Sequence, residues 1–171
     1  MLGFQGVSYF KRAQIRALQE EYQDAEDEFH ELVFAEKNPR EPLSGLVFLN
    51  AGDRAYNEGQ FEESKGYYEK ALVPLKKTPL NGRAQMALAL GAYRAGHVDQ
   101  AEAKLNAILN EKSFLASVRA EAGYQLALLA LESGDENRAQ EYLASVSKLP
   151  STGVWAQKAI LLAGLIPEVM G

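Results

Sequence analysis

Apolar positions recur along this chain with helical rather than strand spacing, and the pattern restarts at near-constant intervals. Glycine marks the restarts: Gly59, Gly96 and Gly134 stand 37 and 38 residues apart, each between one periodic segment and the next. A common stripe follows each of them. An opener (Phe61, Val98, Glu136) leads to a small residue (Ser64, Ala101, Ala139), a large apolar one (Tyr68, Leu105, Leu143) and a further apolar one (Ala71, Ile108, Val146). The intervals place all four on one helical face. Tyr22, Ala25, Phe29 and Leu32 fit the same template and predict one more unit near the N-terminus. In the first helix of each unit a second stripe places a small residue (Ala13, Gly52, Ala89, Ala127) four positions before another on the same face (Ala17, Tyr56, Tyr93, Leu131). Large side chains on one helix facing small ones on its neighbour is how ridges fill grooves.

A fixed period of this length predicts an all-α repeat array. The units fall at about 5–40, 43–78, 79–112 and 115–150, each a helix-turn-helix, within a single domain spanning 1–171. Glycine ends helices because it adopts the left-handed conformation at little cost. Asp99 and Asp135 are placed to cap the helices that follow. Thr78-Pro79 and Ser113 mark the starts of first helices, and Asn38-Pro39 and Leu149-Pro150 the ends of second ones. Ser151-Thr152 then opens a ninth helix, at 151–166, which would cover the end of the stack.

Composition narrows the function classes. With 171 residues the chain can bury a core unaided, and a net charge of −5 argues against nucleic acid as a partner. The absence of cysteine excludes disulfides, thiolate zinc sites and cysteine nucleophiles. His30 and His97 lack metal-ligand spacing, and no phosphate loop or nucleophile elbow occurs. The expectation is a protein that is not an enzyme and holds no cofactor or metal. Glu20, Glu21, Asp24, Glu26, Asp27, Glu28 and Glu31 read as a solvated helix face, the alternative being a divalent-cation patch at Asp24, Glu28 and Glu31. Residues 1–10 carry no charge and are followed by Lys11 and Arg12. They read either as a buried first turn or as the trailing edge of a membrane anchor.

The second unit carries Phe48, Ala51-Gly52, Ala55-Tyr56, Gly59, Phe61, Ser64, Tyr67-Tyr68 and Ala71-Leu72, an order that resembles the tetratricopeptide (TPR) repeat. The period exceeds the usual ~34 residues, the closing proline is displaced or missing, and the third unit lacks the early aromatic. The resemblance implies a TPR-like α-solenoid with a C-terminal capping helix. A narrower likeness rests on Leu49-Asn50-Ala51-Gly52-Asp53-Arg54-Ala55-Tyr56, Tyr68-Glu69-Lys70-Ala71-Leu72, the segment from Ala84 to Leu90 and the closing tryptophan helix. That order is similar to the domains of YfgM-like bacterial envelope proteins. It implies an N-terminal membrane helix, a domain on the periplasmic side of the inner membrane, and association with the Sec translocon and chaperones; the cytoplasm is the alternative compartment.

In TPR folds the first helices line a concave surface. The resemblance therefore implies groove positions at Phe10, Leu49, Tyr56, Met86, Leu90, Tyr93, Arg94, Tyr124 and Leu128. Where a clamp for acidic tails would need basic residues, the chain has Phe10, Leu49, Met86 and Tyr124, and Gln14, Asp53, Leu90 and Leu128. The expected partner is a protein or peptide offering an apolar segment or an amphipathic helix. The competing expectation is a structural adaptor that self-associates through its stack ends or its acidic face.

Overall fold

The computed structural model describes residues 2–151 and 153–167, the side chains of residues 2–13, Ile15 and Tyr22 lying outside that description. The chain is all-helical, in the order α1 (Leu2–Lys37), α2 (Pro42–Asn57), α3 (Phe61–Leu75), α4 (Asn81–Arg94), α5 (Val98–Asn110), α6 (Ala116–Glu132), α7 (Glu136–Ser147) and α8 (Val154–Leu165). Each helix packs on its successor; α4 also touches α6, and α6 touches α8.

The same turn builds three hairpins. Gly59, Gly96 and Gly134 have φ of 79°, 82° and 81°, the positive-φ glycines among the described residues. At each one the following N–H reaches back five residues: Gln60 to the Ala55 carbonyl at 2.8 Å, His97 to Ala92 at 2.9 Å, Asp135 to Ala130 at 2.8 Å. The glycine N–H itself donates to Tyr56, Tyr93 or Leu131. This paired pattern satisfies carbonyls that a helix end leaves open. Asp135 then caps α7 by accepting from the Arg138 N–H at 3.0 Å. Asp99 does not cap α5, because His97 occupies the N-cap position; the Asp99 charge lies in the first turn, where it complements the helix dipole.

The first unit departs from expectation. It is one continuous helix of 36 residues rather than a hairpin, so the described residues hold eight helices. The reason is local: Glu20 stands two residues before Tyr22, in the slot that glycine fills before Phe61, Val98 and Glu136. A left-handed glutamate would cost roughly 1–2 kcal/mol, and no glycine or proline interrupts 7–37. At ~1.5 Å per residue α1 is about 54 Å long, and its described side chains from Gln14 to Glu31 are exposed. Ala25 and Phe29, expected on a packed stripe, lie on that exposed stretch, while Ala13 and Tyr22 fall outside the described side chains.

In the other units three of the four stripe positions are buried, Ser64, Ala101 and Ala139, then Tyr68, Leu105 and Leu143, then Ala71, Ile108 and Val146, while the openers Phe61, Val98 and Glu136 are exposed. The core follows the stack in three successive clusters. One joins α1 to α4 around Phe48, Tyr68 and Leu75; the second joins α4 to α6 around Met86, Leu105 and Leu126; the third joins α6 to α8 around Ala127, Leu143 and Ala159. Close approach depends on missing side chains. A Cβ added to Gly52 would lie 2.6 Å from the Tyr68 ring, and Gly45 faces Leu75 in the same way. With 45 opposite 75 and 52 opposite 68, α2 and α3 run antiparallel.

Replacing Gly96 by valine forces a β-branched residue into the left-handed region and should lower stability by ~1–2 kcal/mol or more. Chemical denaturation measures this directly; an unchanged midpoint would contradict the role assigned to the turn.

Candidate partner-binding groove

The first helices of the hairpins, α2, α4 and α6, share one side of the stack. Between them lies a cavity of about 450 Å³. Asp53 and Tyr56 enter it from α2, Arg83, Met86 and Leu90 from α4, and Val118 and Glu121 from α6. Pro79 and Leu80, from the joint before α4, and Leu115, just before α6, close its sides. Its walls are thus largely apolar, with three charged side chains set into them.

Those three charges are not equivalent. Asp53 and Arg83 form an ion pair, and the Tyr68 hydroxyl donates to Asp53 at 2.8 Å. Burial, followed by the Asp53 contact, pushes the Tyr68 hydroxyl pKa far up, so it stays a proton donor. Glu121 is half-buried and has neither a hydrogen bond nor an ion pair among the described residues. Burial raises its pKa, and the charge of Lys158 on α8 opposes that only in part. Lys158 itself sits 4.3 Å above the Trp155 ring.

The nine expected groove positions divide. Tyr56, Met86 and Leu90 meet in the cavity. Leu49 is only 1 % exposed and belongs to the core rather than to a groove. It is buried because α2 is covered from several sides, so Val47, Phe48 and Leu49 are buried in succession. Met86, 4 % exposed, is also core and offers the cavity only an edge. Tyr93 donates its hydroxyl to Glu132 at 2.6 Å, which raises its pKa. The Arg94 guanidinium lies 5.3 Å over the Tyr56 ring. Tyr124 packs against Trp155 at 5.6 Å, and Leu128 is half-buried on α6. The Phe10 side chain lies outside the described residues.

Several lining residues had no signal in the helical stripes. Pro79, Leu80 and Leu115 sit in joints, where helical periodicity does not apply. Arg83 and Glu121 do share a register: thirteen residues before Gly96 and Gly134, as Leu46 stands thirteen before Gly59. Two smaller cavities lie elsewhere, about 100 Å³ between α3, α4 and α5, and about 220 Å³ between α1, α2 and α3.

Elsewhere the histidines and acids make ordinary surface contacts. His30 lies 3.8 Å from Glu26, and Glu28, one of the acids weighed as a cation ligand, pairs with Arg54. Among the described residues no group of three or more histidines or carboxylates is arranged to hold a metal, and no helix is long and apolar enough to cross a membrane. In comparisons with known proteins, no family model matches the chain and no curated protein is significantly similar to it.

Because the folded protein binds the Glu121 proton more tightly than the unfolded chain does, this group's contribution is fully present below the ordinary carboxylate pKa of 4.5 and is lost as pH rises through the raised value. Glu121→Gln should therefore melt at a higher temperature than the natural protein at neutral pH, with the difference shrinking on acidification. A variant that melts lower at neutral pH would show that the carboxylate is stabilised in place.

Proposed function

We propose that the chain is a non-catalytic protein-interaction module whose α2–α4–α6 groove takes an apolar polypeptide segment. The cavity carries this reading. It has room for more than one large side chain, its walls come from three successive hairpins, and its apolar side chains have no occupant among the described residues. Burying each large side chain of a partner there contributes ~1.5–3 kcal/mol. The basic residues within reach are engaged, Arg83 with Asp53 and Arg94 over Tyr56, which disfavours capture of acidic tails.

In this proposal the helices form a TPR-like stack, and the domain is the soluble part of a membrane-anchored bacterial envelope protein acting on the periplasmic side near the Sec translocon and chaperones. The resemblance in the second unit supports the repeat assignment, and the long exposed helix α1 suits a tether that holds the groove away from a surface.

A second reading, assembly by self-association, draws on α8. That helix buries Ala156 and Ala159 against α6 and α7 but leaves Ile160, Leu161 and Leu165 exposed at 67 %, 69 % and 80 %. Its outer face is where a further helix of the stack would pack.

One set of measurements separates the two. Leu90→Ala combined with Leu115→Ala should weaken binding of a leucine-rich amphipathic peptide at least tenfold with helicity unchanged, while sedimentation at increasing concentration reports a monomer. Peptide binding that survives both truncations would remove the groove reading; a concentration-dependent dimer abolished by Leu161→Glu would favour assembly.

A further inference from the structure

We infer that Glu121 makes the groove selective for a segment that carries a lysine or arginine beside its apolar residues. This rests on the groove reading above and names the partner's chemistry. Of the charged side chains lining the cavity, Arg83 and Asp53 neutralise each other, and the Tyr68 hydroxyl donates a second bond to Asp53. Glu121 is left as the one lining charge without a hydrogen bond or ion pair among the described residues. Lys158 is near enough to be felt electrostatically, yet it forms no ion pair with Glu121 and is held over Trp155.

A half-buried carboxylate beside Leu115 and Val118 is costly to keep ionised without a partner. An incoming ammonium or guanidinium would supply the missing donors. Hydrogen bonds to charged groups are stronger than neutral ones, and strongest where water is thinned. The protein's net charge of −5 further favours the approach of a basic segment. An acidic residue at the same place would meet Glu121 with like charge. The site therefore discriminates by attraction and by repulsion together.

The register gives the selectivity a direction. Leu46, Arg83 and Glu121 occupy one repeat position on α2, α4 and α6. Leu46 stands outside the cavity, so within it the row runs from the neutralised Arg83 on α4 to the open carboxylate of Glu121 on α6. A segment lying in the cavity would place its apolar side chains toward Tyr56, Met86 and Leu90 and its cation toward Glu121 on α6.

The test uses a fluorescein-labelled amphipathic peptide of leucine and alanine with one central lysine, and the same peptide with that lysine acetylated. The natural protein should bind the lysine form about tenfold more tightly or better, and Glu121→Gln should lose the preference while still binding the acetylated form. Glu121→Lys should prefer a peptide with glutamate at the same position. Equal binding of both peptides by the natural protein would overturn the role of Glu121 and leave the groove standing. No binding of either peptide, whether from a groove closed by a second copy in sedimentation or from an inert surface, would overturn both.

Discussion

Helix direction reverses in this protein at a backbone conformation that only glycine adopts cheaply, and everything built on the hairpins follows from where that glycine stands. Gly59, Gly96 and Gly134 share φ to within a few degrees and share the same back-reaching hydrogen bond. Each turn fixes the offset between two helices, so a side chain at a given distance from the glycine recurs at the same height in the next hairpin. Glu20, in the equivalent slot, gives the converse result. Without the turn the helix runs on, the N-terminal unit has no hairpin, and Ala25 and Phe29 face water while Leu32 still packs on the core.

The groove inherits this geometry. Because the turns are alike, α2, α4 and α6 present matching positions to one side, and the large residues of α3, α5 and α7 fill the spaces behind them. Tyr68 shows how the two sides are linked. Its ring fits against Gly52, and its hydroxyl reaches Asp53, which in turn holds Arg83 at the cavity wall. A packing residue of one helix thereby steadies the carboxylate that neutralises a charge on the cavity wall of another. Of the two carboxylates lining the cavity, Glu121 is the one that no such arrangement reaches among the described residues.

Much of the packing was readable from residue types alone. The small residues Ser64, Ala101 and Ala139 are buried where the repeat expects them, because close helix approach demands small side chains at that point. Leu49, which the TPR resemblance places in the groove, is buried because α2 is covered from several directions and buries consecutive residues. The row formed by Leu46, Arg83 and Glu121 escaped because it is apolar, basic and acidic in turn; its members share a height, not a chemistry. Leu115, Pro79 and Leu80 escaped because they lie between helices. The continuous α1 was legible in principle, since Glu20 is visibly not glycine, but the stripe of Tyr22, Ala25, Phe29 and Leu32 pointed the other way. Of that stripe, Leu32 packs on the core while Ala25 and Phe29 stay exposed.

Site-specific photocrosslinking tests the central claim most directly. A benzophenone side chain placed at Leu115, on the groove rim, and separately at Glu141, on the outer face of α7, would be irradiated with a leucine-rich basic peptide present. The groove account predicts a crosslinked product from position 115, competed away by unlabelled peptide, and none from position 141. Equal crosslinking at both positions, or crosslinking at 141 alone, would contradict it.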